Sequence, residues 1–137
     1  MTATHLPIRL RPSQDLRAAL QEILPQQGVS AAYVLQGIGS LSVAQLRLAG
    51  ASQATELRGD LEILSLAGTL SADGAHLHMA VADAQGRVTG GHVAAGCTVR
   101  TTAELLLVLL PDYHFSRQQD AVTGYAELAI HLHAPAE

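Results

Sequence analysis

The segment from Gly74 to Thr102 constrains this chain more than any other. His76-Leu77-His78-Met79-Ala80-Val81-Ala82 alternates polar or small residues with large apolar ones, the signature of a strand with one buried face. Asp83 to Gly86 carries turn chemistry, and Val88 to His92 resumes the strand, so the segment reads as a hairpin. Residues two apart on a strand share a face, with Cα atoms roughly 6.5–7 Å apart. That places His76 and His78 together, with Leu77, Met79 and Val81 turned to the core. Gly90 and Gly91 lack a Cβ and let a neighbouring backbone come close, which brings His92 within reach across the pairing. A solvated polar strand face is the bland alternative. Three converging imidazoles can instead hold one divalent metal and leave coordination positions open. Zinc is the first expectation; iron, nickel, copper and manganese also accept imidazole.

The rest of the chain reads as a single domain over residues 1–137. Leu6 to Arg11 alternates as a strand. Ser13 reads as a helix N-cap with Asp15 in the first turn, and Leu16, Leu20, Ile23 and Leu24 recur at helical spacing until Pro25 and Gly28. Strands are expected over Ala31 to Ile38 and Leu41 to Leu48, the second with a bulge near Gln45. Leu61 to Leu70 and Tyr125 to His133 read as strands, whereas Ala103 to Leu110 fits strand or helix. The expected class is therefore α+β, mainly antiparallel sheet with one firm helix near the N-terminus.

Composition narrows the function. The net charge of -4 argues against a nucleic-acid grip through phosphates, and 3% aromatics cannot build a base-stacking platform. Arg9, Arg11 and Arg17 are the only basic residues near one another in sequence and read as solvated. The small aliphatic core this composition implies hints at surface shared between subunits. The single Cys97 excludes an intramolecular disulfide and reads as a buried, inert thiol. The N-terminal residues lack signal-peptide features, and Leu105 to Pro111 is too short to span a bilayer, so a soluble cytoplasmic protein is expected.

Other polar residues are candidates for the same site. Glu62 and Glu104 interrupt apolar runs and must meet water, a charge or a metal. Either is a candidate metal ligand or general acid/base, with Arg100 as an anion clamp for a small anionic ligand. His131 and His133 repeat the two-residue spacing without a later third histidine and read as outward-facing. His114 reads as a surface or subunit-contact residue.

Taken in order, Gly37-Ile38-Gly39-Ser40-Leu41, Glu62 to Leu70, His76-Leu77-His78, Asp83 to Gly86, Gly90-Gly91-His92, Gly96 to Glu104 and Thr123 to Leu128 resemble the PPC domain, named for plants and prokaryotes. The resemblance covers nearly the whole chain and implies a compact α+β fold around an antiparallel sheet, assembled as a homotrimer. In plants the domain follows AT-hooks in nuclear DNA-binding proteins. No Arg-Gly-Arg-Pro hook is present here, and the family's Gly-Arg-Phe-Glu-Ile-Leu stands as Gly59-Asp60-Leu61-Glu62-Ile63-Leu64. The prokaryotic branch is similar in fold to acetolactate decarboxylase, which holds zinc through a His-x-His and a later histidine. Three functions follow as expectations: a trimeric binding or regulatory module with a bound metal, a metal-dependent lyase or hydrolase using metal-activated water, and, disfavoured by charge, direct DNA binding.

Overall fold

A computed structural model describes residues 2–133. Eight strands and two short helices follow in the order β1 (Thr4–Leu10), α1 (Leu16–Gln21), α2 (Ile23–Gln27), β2 (Ala31–Arg47), β3 (Ala54–Ser71), β4 (Gly74–Ala82), β5 (Val88–Val93), β6 (Thr98–Leu109), β7 (Tyr113–Gln119) and β8 (Ala126–Leu132). Six strands form one antiparallel sheet in the order β1-β6-β2-β3-β4-β5, and β7-β8 forms a separate ribbon. The end of β2 also pairs with β5, Leu46 opposite Val93 and Arg47 opposite His92, so the sheet curls back on itself there. The expected α+β architecture is the observed one.

The helical stretch supplies the lid of the core. Leu16 and Leu20, one turn apart, are fully buried, as alternate residues Leu77, Met79 and Val81 are from β4. The N-cap is two residues later than Ser13: it is Asp15, its carboxylate accepting the Ala18 N–H, while Ser13 sits at φ 73°. Pro25 does not end the helix. It falls in the first turn of α2, where its missing N–H costs nothing, and Gly28 closes α2 in the left-handed conformation at φ 67°. The second oxygen of Asp15 accepts the Gly96 N–H at 2.6 Å, so one side chain ties the helix to the β5–β6 turn. Asp15→Ala removes both bonds and is expected to cost about 1–2 kcal/mol. That should lower the thermal midpoint by roughly 5 °C in a circular dichroism melt, with Asn closer to wild type.

Two sequence-based expectations are corrected here. The predicted pair of strands over Ala31 to Leu48 is one continuous 17-residue strand. Its register against β3 and β6 shifts between Leu41 and Val43 rather than near Gln45. The inward positions after Leu41 are Ala44 and Leu46, and alanine is too small to announce a buried position by hydropathy alone. The ambiguous Ala103 to Leu110 is strand as far as Leu109, the end of β6, which is sandwiched between β1 and β2. The polar run at Tyr113, given no element in sequence, is β7. Its Phe115 is buried edge-on against Tyr33, with ring centroids 5.7 Å apart, which seats the ribbon on the outer face of the sheet.

Candidate metal centre

The site grows out of the β4–β5 hairpin. Asp83 closes its turn by accepting the N–H groups of Gln85 and Arg87 at 2.9 and 3.0 Å and the Arg87 Nε at 2.9 Å. This turn pairs Ala82 with Val88, and counting along the strands then sets His78 directly opposite His92. A slip of one residue would carry His92 to the other face. Gly91 makes the remaining approach possible: a Cβ there would lie 2.8 Å from the Arg47 carbonyl oxygen, so β5 could not close onto β2. Gly90 is less demanding, its nearest contact being 3.4 Å. On the β3 side, His78 pairs with Ala67 and His76 with Thr69, short side chains that leave the imidazoles room.

The three rings converge. Their centroids lie 5.0 Å apart for His76 and His78, 5.4 Å for His76 and His92, and 4.4 Å for His78 and His92. One ring nitrogen from each falls within 4.8 Å of the others, and His78 Nε2 lies 3.1 Å from His92 Nδ1. Nitrogens bound to one tetrahedral zinc at 2.0–2.1 Å stand roughly 3.3 Å from each other. The His78–His92 pair is at that separation already, and His76 needs a small ring movement. The donor set therefore fits a divalent ion of the zinc type. Burial, then Arg117, then His78, His92 and Arg17 hold His76 below the ordinary imidazole pKa. Burial, then Arg47 and His78, do the same for His92. Both rings are thus neutral near pH 7, the form that ligates a metal.

Beside the cluster lies an open cavity of about 1170 Å³. His76 and His92 stand in its wall together with Arg17, Arg47, Arg117 and Tyr125. The arginines come from α1, the end of β2 and β7, and no sequence pattern joined them. Arg17, expected to be solvated, is half-buried.

The other candidates lie elsewhere in the chain. Glu62 shares the outer face but pairs with Ala82, four residues beyond His78 and roughly 13 Å along the strand. Glu104 sits on β6 opposite Arg9 and Ile38, with β2 and β3 between it and β4. Arg100 is paired with Asp60 at 3.2 Å. None of the three lines the cavity within one chain. Cys97 is fully buried, its thiol pushed up chiefly by burial, and its Sγ accepts the Gln45 N–H, so it stands apart from the metal-ligand group. His131 and His133 do have a third histidine nearby, because β7 brings His114 to 6.5 and 6.1 Å from them, centroid to centroid. That set is wider: among the described residues only His76, His78 and His92 gather ligand atoms closely enough for one ion. No helix among the described residues is long and apolar enough to cross a membrane.

A family model described as the Plants and Prokaryotes Conserved (PCC) domain matches residues 2–111, and the chain belongs to this family. Over 124 residues, 90% of its length, the chain is 52% identical to a protein of Synechococcus sp. strain JA-3-3Ab named bifunctional protein GlmU, of which it spans only 20%. A hypothetical protein from Salmonella cholerae-suis has the same fold with a TM-score of 0.93 at 44% identity, covering 97% of this chain and 96% of that one. The protein AF0104 of Archaeoglobus fulgidus, described as metal-containing, aligns with a TM-score of 0.80 at 26% identity over 92% of this chain and 93% of that one.

Proposed function

We propose that this protein is a cytoplasmic, homotrimeric binding or regulatory module, built around a divalent metal, zinc first, held by His76, His78 and His92. The observation that carries the reading is the gathering of one nitrogen from each ring within 4.8 Å. The metal-containing relative and the occurrence of a similar segment inside a larger bifunctional protein support it. Support for self-association comes from Leu35, Ile38, Leu64 and Leu106, which are 38–53% exposed on three adjacent strands. When bound, such an ion supplies Lewis acidity and open coordination positions. His78 and His92 would exchange their mutual hydrogen bond for it. Sedimentation should give the mass of three chains; a monomer at micromolar concentration would remove the trimer from the account.

The open cavity favours a second reading, a lyase or hydrolase in which Glu62 or Glu104 is the acid/base and Arg100 the anion clamp. It requires a neighbouring subunit to deliver those side chains to the cluster. Direct DNA contact is the weakest reading: Arg58, Arg87 and Arg100 are paired with Glu56, Asp83 and Asp60 rather than forming a free basic face.

The metal reading is tested by titrating stripped protein with zinc across pH. Protons compete for the same nitrogens, so one zinc per chain should bind with little change in affinity above pH 7 and progressively more weakly below about 6.5. Without metal the same shifts have a defined sign. Unfolded imidazoles protonate near 6.5 and these two only at lower pH, so their contribution to stability is present above 6.5 and lost as pH falls from there through the lower folded values. No uptake at equimolar zinc, or uptake indifferent to pH down to 5, would remove the proposal.

A further inference from the structure

We propose that the cavity beside the histidines binds a small organic ligand through an oxyanion group, carboxylate or phosphate, held by Arg17, Arg47 and Arg117. This deepens the metal-module reading and rests on it only for the ligand's second contact, at the ion.

The distribution of positive charge carries the inference. The chain has eight basic residues, all arginine. Five of them, Arg9, Arg11, Arg58, Arg87 and Arg100, are exposed. The remaining three are half-buried, and all three line this one cavity. Of the exposed five, three make ion pairs with acids. Among the described residues the cavity three make none. Each guanidinium instead gives one hydrogen bond to a neutral oxygen: Arg17 Nη1 to the Val93 carbonyl at 3.0 Å, Arg47 Nη1 to the Ala51 carbonyl at 3.1 Å, and Arg117 Nη2 to the Thr69 hydroxyl at 2.9 Å. Those bonds fix the planes and leave most of the five donors of each group uncommitted.

Partly burying three like charges without a carboxylate costs free energy that an exposed position would avoid. The acids in the same wall form no ion pair with these arginines among the described residues. Asp73 turns its Oδ2 to the Arg117 backbone N–H at 2.8 Å, and Glu127 is exposed on the ribbon. A bound oxyanion would offset the cost through charge-assisted hydrogen bonds, for which the planar guanidinium is well matched. Arg17 and Arg47 reach the same wall because the sheet curls, Arg47 pairing with His92 and Arg17 reaching the carbonyl of Val93, the next residue, while the ribbon brings in Arg117. Anion site and histidine cluster are therefore contiguous, and a ligand of metabolite size spans both.

The test is isothermal titration of succinate, inorganic phosphate and neutral succinamide, at low salt, into zinc-loaded and zinc-stripped protein. Expected is one site per chain for succinate, phosphate or both, none for succinamide, and affinity that falls with salt. Whichever anion binds identifies carboxylate or phosphate as the recognised group. Binding should weaken about tenfold in Arg47→Gln and in Arg117→Gln, and not in Arg58→Gln. Arg17→Gln stands in for either variant that fails to give a wild-type melt. Weak binding surviving in stripped protein assigns the site to the arginines even if zinc plays no part. Absence of binding to both forms, or equal affinity across all the variants, overturns the proposal while leaving zinc uptake to stand or fall by itself.

Discussion

Replacing His92 by alanine is expected to weaken zinc binding by about 100-fold or more, with the metal-free melting curve nearly unchanged. Losing an outer partner of a metal ligand already costs 10–100-fold in affinity, and His92 would be a ligand itself. The fold should be indifferent, because His92 projects from the outer face and, among the described residues, its one side-chain contact in hydrogen-bonding range is His78. Substitutions at such positions change stability within about 0.5 kcal/mol. His131→Ala is the matched control, since it removes an imidazole from the wider set on the ribbon. Competition with a chromophoric zinc chelator reads both variants. Equal loss in the two, or none in His92→Ala, would show that the ion is held elsewhere.

The second large effect is structural. Gly68→Ala should lower the melting midpoint by about 10 °C, equivalent to about 3 kcal/mol, and weaken zinc binding with it. A Cβ on Gly68 would overlap the carbonyl oxygen of His76 and come within 2.8 Å of the Leu77 Cα. Both obstacles are backbone, so no rotamer relieves them; β3 and β4 must part where His76 is positioned. Gly90→Ala provides the contrast, its nearest contact being an ordinary 3.4 Å from the Met79 oxygen. A Gly68→Ala protein that melts like wild type would mean that the Gly68–Leu77 pairing is not the one in solution.

The hairpin that carries the histidines was legible in the sequence because every cue in it is local. Period-two hydropathy assigned the faces, Asp83 and Gly86 marked the turn, and counting back from the turn brought His92 beside His78. Gly91 was readable as a close-approach position, although what approaches, the Arg47 carbonyl, was not. Features that depend on long-range pairing were hidden. The long β2 looked like two strands because Gly37-Ile38-Gly39 breaks its pattern, and the polar β7 carries too few apolar residues to declare itself. His114 joins His131 only through the β7–β8 register. The cavity arginines are separated by 30 positions or more and meet through the β2–β5 closure and the seating of the ribbon. Glu62 and Glu104 drew attention by interrupting apolar runs, yet an interruption on an alternating strand needs nothing beyond an outward-facing position. Both residues are exposed.

X-ray absorption at the zinc edge, on protein loaded with one equivalent of metal, tests the central claim most directly. Three imidazoles around the ion should give a nitrogen and oxygen shell at about 2.0–2.1 Å, with the outer-ring scattering of three histidines and no sulfur. In His92→Ala the imidazole count should fall by one. A sulfur shell at about 2.3 Å, or a spectrum unchanged by that substitution, would contradict a metal centre built on His76, His78 and His92.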